Sequence, residues 1–489
     1  MHAFRGNRVT RRSRRTCKSS APVTSPVRLD QGMTALHWFT LFLASLCWAS
    51  ALAAANVARA EPGLRANLPP PAPLHHPRLS DIAVILIALL GSTSCQFSRT
   101  MSPTWSREQC PAPAPVPPEQ ASLYAQQSEW LQEYRTIVDA HTPGVQSQPA
   151  FGGHLLTADS NRAEALLQAD AMKWVELSLD RFQEMGMQGV TLNIGYPILM
   201  PWFPDSARYL GYYQEVAKAV RRRGMTLAVE QIVLYTGTQF TPFDFKLNDL
   251  TLEKYTADQA QMAQILIDNL APDYLTMMHE PDTVAELTGL RSILTPAVAT
   301  AYVNGVLAGL RRGATLVGAG SGSWSSPLFA DSFSKNTSVD FIDIHIYWIN
   351  RSSVVNSYEM AKLAKEHGKS VVITEAGLYK SIGEGLEGTP HVDGVAAVYR
   401  RDVFSFWEPL DMDFLDITGR FARSVDTRFI SIYWTNMFFS YIDSTPQTAT
   451  MSYEQLNRQL SGQQTAQAWL TGRFTCAGKF YRTVIAGVR

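Results

Sequence analysis

Cysteine is scarce in this chain. Of the five present, Cys17, Cys47 and Cys95 fall in the first hundred residues, leaving Cys110 and Cys476 near the two ends of the remainder. No Cys-x-x-Cys pair and no Cys/His ligand spacing occurs, so a zinc module is unsupported. A charge excess of either sign is also missing. Lys+Arg and Asp+Glu each total 43, and the one basic cluster, Arg11 to Arg15, lies at the extreme N-terminus. A nucleic-acid partner normally shows a basic excess, so none is expected. Charged residues make up only 18% against 46% hydrophobic, which excludes a disordered chain and supplies a large core. A glycine-rich phosphate loop after the first strand is absent too. Gly152-Gly153 is a bare pair, and Gly318-x-Gly320-x-Gly322 follows the fifth strand, so a doubly wound dinucleotide-binding sheet is the weaker reading.

What is present begins with two apolar runs. Trp38 to Ala55 closes with Ala58-Arg59-Ala60, a small-x-small pattern of the kind signal peptidase cleaves. Ile82 to Leu90 leads into Gly91-Ser92-Thr93-Ser94-Cys95, a loose lipoprotein-type signal with Cys95 as the acylated residue. Residues 1–95 therefore read as a targeting or membrane-anchor region, and the two segments in tandem suggest a true start further downstream or an anchoring first run. The expected location is secreted or attached to the cell envelope, with membrane contact only through that anchor or lipid. In an oxidising compartment Cys110 and Cys476 could pair. Residues 96–118 read as a Pro-rich linker, with Pro111 to Pro118 (PAPAPVPP) as its stiff part. Residues 119–489 read as one catalytic domain. A helix over about Glu119 to Ala140 comes first, then a barrel core over about 148–475.

Within that core, short β-rich runs alternate with amphipathic helices. Strands are predicted at Ala150–His154, Gly189–Ile194, Thr226–Gln231, Tyr274–Met278, Thr315–Ala319, Phe341–Tyr347, Ser370–Thr374 and Phe429–Trp434. Val175, Leu179, Phe182 and Met185 form one helical stripe that Gly186 ends, and Thr256-x-x-Gln259 reads as a capping box. Thr295-Pro296 reads as an N-cap with proline at the first helical position. Eight parallel-type strands alternating with helices predict an α/β fold of the (β/α)8 TIM-barrel class.

A barrel does its chemistry at the C-terminal ends of its strands. The fourth strand ends in Met278-His279-Glu280-Pro281 and the seventh in Thr374-Glu375-Ala376-Gly377. A carboxylate directly after a buried apolar strand is costly unless it is used or paired. Two of them, on strands that face each other across the mouth, suit a retaining glycosidase. At these positions the sequence resembles glycoside hydrolase clan A, the 4/7 superfamily of retaining (β/α)8 glycosidases. The resemblance implies that Glu280, followed by Pro281, is the acid/base and that Glu375 is the nucleophile. It extends to His345-Ile346-Tyr347, similar to the clan's His-x-Tyr whose Tyr hydrogen-bonds the nucleophile. It also reaches Trp434 at the end of strand eight, where many members place the floor of the sugar subsite. The implied activity is hydrolysis of an oligo- or polysaccharide by double displacement, a reaction that calls for no cofactor and no metal. In that mechanism Glu280 is expected to carry a raised pKa, set by the neighbouring negative charge and partial burial.

The chain departs from the clan pattern in two places. His279 stands where Asn usually precedes the acid/base, so the contact to the sugar 2-hydroxyl falls to His279 or to another group. The second strand lacks the Arg that supports the nucleophile, and Asn193, Glu230 or His154 could substitute. Trp202, Trp324 and Trp348 are further candidates for stacking on sugar faces. Two other readings stay open at this point. His154, His279 and His345 all sit at strand ends and could converge on a cation in a metal-dependent barrel hydrolase. The same scaffold could also serve as a non-catalytic carbohydrate-binding barrel. The residues do not select the glycan.

Overall fold

The computed structural model describes residues 106–141, 147–237, 241–247, 249–380 and 402–487. The segment read as a targeting or membrane-anchor region, 1–95, with Cys95, lies outside the described residues. All eight predicted strands form, as β1 (Ala150–His154), β2 (Gly189–Tyr196), β3 (Thr226–Val233), β4 (Tyr274–Met278), β5 (Leu316–Gly322), β6 (Phe341–His345), β7 (Ser370–Ala376) and β8 (Thr427–Ile432). Each is parallel to its sequence neighbours and β8 pairs with β1, so the sheet closes into a (β/α)8 barrel. The strands read as near-continuous apolar runs because helices cover their outer faces and side chains fill the inside. On β2, for example, all eight residues are buried.

Where the boundaries differ from the sequence reading, the cause is local. The helix Leu252–Leu270 starts earlier than the predicted capping box. Its cap is Thr251, which accepts from the Lys254 amide at 3.2 Å, while Thr256 lies inside and donates to the Leu252 carbonyl. Thr295 does precede a helix that opens with Pro296, but its side chain makes no capping bond. β6 stops at His345, so Tyr347 sits just beyond the strand, and Trp434 lies past the end of β8.

β6 shows how the barrel interior is layered, because alternate residues of a strand point to the same face. At the bottom Phe341 packs with Ala228, Val372 and Phe429 in an apolar floor. Glycines on nearby strands make room for the two rings. A Cβ on Gly318 would lie 2.1 Å from the Phe341 ring, and one on Gly189 would lie 2.6 Å from the Phe429 ring. Two residues higher, Asp343 accepts from the Thr276 hydroxyl at 2.7 Å, from the Thr374 amide at 3.0 Å and from the Thr374 hydroxyl. Two residues higher again His345 reaches the mouth. On β7 the register to β8 shifts between Ile373 and Ala376, so three steps oppose two. That irregularity lets the adjacent Thr374 and Glu375 both serve the interior, which strict alternation would forbid.

Residues 106–118, the described part of the predicted linker, lie against the barrel. Cys110, Ala114 and Val116 pack on the core, Cys110 is disulfide-bonded to Cys476, and Arg107 pairs with Asp413 at 2.8 Å. The helix Ala121–Ala140 follows and buries Leu131, Tyr134 and Val138. Its Arg135 pairs with Asp413 and Asp416 of the helix Glu408–Ser424.

Candidate active site

Four strands send carboxyl groups toward one imidazole. His345 Nδ1 lies 2.8 Å from Glu280 Oε1 and 3.2 Å from Glu375 Oε2, and Nε2 lies 2.8 Å from Glu230 Oε1. Asp343, one layer below, approaches Nε2 to 3.9 Å. Glu230 and His345 are fully buried, whereas Glu280 and Glu375 keep 7% and 8% of their surface exposed and so border the mouth. One oxygen of Glu280 and one of Glu375 lie within 4.8 Å of each other.

The two strand-end glutamates are held differently. Glu280 stands at the N-cap position of the short helix Pro281–Thr288 without a side-chain capping bond, and its Oε2 accepts from the Thr283 hydroxyl at 2.6 Å. Glu375 accepts from the Tyr347 hydroxyl at 3.1 Å and from Asn193 Nδ2 at 3.4 Å. Burial drives the Tyr347 hydroxyl well above its ordinary pKa, helped by the charge of Glu375, so it stays a donor. Burial also disfavours ionisation of Glu375, but the positive potential and hydrogen bond of His345 outweigh it and leave its pKa lowered. The expectation of a raised pKa for Glu280 is not met. Burial pushes it up, yet the hydrogen bond and charge of His345 prevail and bring it down to about 2.

The remaining predicted residues divide. Of the three groups offered in place of the missing Arg, Asn193 contacts Glu375. His154 comes within 3.8 Å of the same carboxylate but donates from Nε2 to the Thr374 carbonyl at 3.0 Å, and burial lowers its pKa to about 4. Glu230 faces His345 instead. His279 is buried, its ring lies 5.5 Å from that of His345, and burial lowers its pKa. Its Nδ1 has no hydrogen-bond partner among the described residues. Trp434 borders Gly377, where an added Cβ would lie 3.0 Å from the indole and 2.7 Å from the Tyr347 ring. Trp348 is not a stacking platform. It is fully buried, with its indole N–H donating to Ser357. Trp324 donates to Asp282 at 2.7 Å, and Trp202 is 55% exposed.

Among the described residues, three trios bring ligand-type atoms within 4.8 Å of one another, namely His154/Glu230/Glu375, Glu230/Asp343/His345 and Glu280/His345/Glu375. His279 belongs to none of them, so the three strand-end histidines do not converge as one ligand set. Both nitrogens of His345 are already engaged by carboxyl groups, and that network accounts for the cluster. Asp343, Thr374, Thr276 and Thr283 were missed in the sequence. Asp343 could have been found two positions before His345 on the same strand face, but the threonines carry no separate signal.

Residues 250–393, which include Glu280, His345, Tyr347 and Glu375, match the family model described as the glycosyl hydrolase catalytic core. No curated protein matches the chain. Among solved structures, the chain is similar to an exo-beta-1,4-mannosidase from Opitutaceae bacterium strain TAV5, at 14% identity over 70% of this chain and 60% of that one, TM-score 0.45. This chain therefore spans less than two thirds of that protein's length. A GH5_18 protein from Bifidobacterium longum subsp. longum shows 14% identity over 70% of this chain and 79% of that one, TM-score 0.45. A GH30 endoxylanase from Clostridium papyrosolvens shows 12% identity over 65% and 74%, TM-score 0.38. The family match thus spans the stretch of the chain that carries both strand-end glutamates.

Proposed function

We propose that the barrel is a retaining β-glycosidase of the clan A type, acting on an oligo- or polysaccharide, with Glu375 as nucleophile and Glu280 as acid/base. The observation that carries this reading is the approach of one oxygen of Glu280 and one of Glu375 to within 4.8 Å across the mouth. Retaining enzymes hold their two carboxyl groups about 5–5.5 Å apart, whereas inverting ones leave about 6.5–9.5 Å for a water. The hydrogen bonds agree with the division of labour. Tyr347 and Asn193 both donate to Glu375, which suits an anion that must attack. In the first step Glu375 bonds to the anomeric carbon, the glycosidic C–O bond breaks, and Glu280 gives its proton to the leaving oxygen. In the second step water attacks the same carbon, Glu280 takes a proton from it, and Glu375 is released. Trp434 and His279 border the sugar that is attacked.

A panel of aryl β-glycosides and polysaccharides identifies the sugar, and azide assigns the roles. Glu375→Ala abolishes turnover, and azide restores it on an activated aryl glycoside as the inverted glycosyl azide. Glu280→Ala keeps fast glycosylation with good leaving groups, stalls at deglycosylation, and gives the retained azide. Interchanged products would reverse the assignment. Inversion by the unaltered enzyme would remove the retaining mechanism, and sugar binding without release would make the barrel a carbohydrate-binding protein.

We also propose that the chain is exported. The Cys110–Cys476 disulfide supports this, since such bonds persist in oxidising compartments. If Cys95 is acylated, Cys95→Ser moves the protein from the membrane to the soluble fraction, and an unchanged distribution removes the lipid anchor.

A further inference from the structure

The glycosidase reading leaves one thing without a source, which is the proton that Glu280 must deliver. Its Oε1 lies 2.8 Å from His345 Nδ1, and an N–H donated there favours the anion and holds the carboxyl low. The same imidazole touches a second carboxyl on its other side. Glu230 Oε1 lies 2.8 Å from Nε2 and Glu280 Oε1 lies 2.8 Å from Nδ1, so the ring spans the two glutamates through opposite nitrogens. An imidazole can take a proton at one nitrogen while giving one from the other.

We infer that Glu230 stores the proton for Glu280 and passes it through His345. The inference rests on the acid/base role of Glu280. Three features of the site support it. First, Glu230 Oε2 is buried and has no hydrogen-bond partner among the described residues, and the nearby His154 Nε2, 4.0 Å away, is turned to the Thr374 carbonyl. A buried carboxylate with one oxygen unpaired is costly, whereas a neutral carboxyl donating from Oε1 to Nε2 leaves only a carbonyl-type oxygen bare. Second, Glu230, Asp343, Glu280 and Glu375 all face this one ring, while burial holds His154 and His279 toward the neutral form. Four carboxylates around a single imidazole do not all stay ionised. Third, the four are unequally placed. Asp343 accepts three hydrogen bonds, and Glu280 and Glu375 border solvent, but Glu230 is fully buried with the fewest donors. Burial accordingly raises Glu230 to about 8. The charge of Glu230 is the largest influence raising His345, so the pair holds one extra proton between them rather than two.

The transfer balances. With the proton that Glu230 and His345 share counted on Glu230, Glu230 Oε1–H donates to Nε2 and Nδ1–H donates to Glu280. When the glycosidic bond breaks, Nδ1 gives its proton to Glu280 Oε1, Glu230 gives its own to Nε2, and Glu280 protonates the leaving oxygen. The ring begins and ends neutral with its tautomer reversed. In the second step Glu280 takes a proton from water and the relay runs backward, returning one to Glu230. Glu230 never meets the sugar and acts as a positioning residue through His345.

Glu230→Gln keeps a hydrogen-bonding group beside Nε2 but removes the stored proton. With the sugar identified by the aryl-glycoside panel, the variant is compared with the unaltered enzyme on the 2,4-dinitrophenyl and 4-methoxyphenyl glycosides. The relay predicts that kcat/KM falls about 10²-fold or more for the methoxyphenyl leaving group, which needs the acid. For dinitrophenyl the loss is at least tenfold smaller. The alkaline limb of the pH profile also moves to lower pH, because Glu280 must then hold its own proton. Equal losses on both glycosides with an unmoved limb would overturn the relay and leave Glu230 a structural ligand of His345. Equal losses in Glu280→Ala as well would instead overturn the acid/base reading. Infrared difference spectra of the free enzyme between about pH 6 and about pH 9 test the store without any substrate. A carboxylic C=O band that disappears on that rise, and is missing in Glu230→Gln, supports it. The same spectrum in both proteins overturns it.

Discussion

The Tyr347 hydroxyl donates to Glu375 Oε2 over 3.1 Å, from just beyond β6 to a carboxylate on β7. A hydrogen bond to the charged form favours ionisation, so its removal raises the pKa of Glu375. Tyr347→Phe is expected to lower kcat/KM by about 10- to 100-fold, the usual worth of a hydrogen bond to a charged group. The acidic limb of the pH–rate profile should move to higher pH, because the nucleophile is now protonated sooner as pH falls. A steady-state pH series on an activated aryl glycoside measures both.

His154 links acidity to stability. It is buried, and its folded pKa of about 4 lies below the ordinary 6.5. Between those values the unfolded chain binds the proton and the folded one does not, so stability is fully present above about 6.5 and is lost as pH falls toward about 4. The contribution is roughly 3 kcal/mol. His154→Gln, whose amide can still donate to the Thr374 carbonyl, should unfold with a flatter dependence on pH over that range. Urea midpoints at a series of pH values give the comparison.

Gly318 and Phe341 share one space in the barrel floor. Because a Cβ on Gly318 would lie 2.1 Å from the ring, Gly318→Ala should destabilise the protein by about 1–3 kcal/mol or more. Combining it with Phe341→Leu should recover part of that loss, since the side chain that blocks the methyl is then smaller. A double-mutant cycle on thermal or denaturant unfolding reads the coupling.

The disulfide ties the segment before the barrel to its last helix. Cys110 and Cys476 are 366 residues apart in sequence, so the bond closes most of the domain into one loop. Cys110→Ser should cost about 2–5 kcal/mol in unfolding free energy while leaving the site geometry intact. Truncation at residue 118 should cost at least as much, because it also removes the Arg107–Asp413 pair and the packing of Val116. Equal stability of the truncated and full chains would mean that residues 106–118 contribute no stability to the barrel.

The sequence by itself determined the periodic features. Eight apolar runs separated by amphipathic helices, with Gly186 at a helix end, are local patterns set by backbone geometry, and the barrel follows from their order. Glu280 and Glu375 were legible for the same reason, since a charged residue directly after a buried run stands out without knowledge of its neighbours. Tyr347 came with them only through the resemblance of His345-Ile346-Tyr347 to a family motif. Tertiary structure alone decided which groups meet. Glu230, Glu280, His345 and Glu375 come from four strands spread over 146 positions, and nothing in their spacing says that one imidazole touches all three carboxyls. That contact depends on ring closure and on the register shift in β7, which turns Thr374 and Glu375 to the same interior. It also reverses the simple expectation for Glu280. Burial raises a carboxyl's pKa and is easy to anticipate from a strand end, but the sign of the shift is set by the nearest charge, and the chain brings His345 to that place only when it is folded.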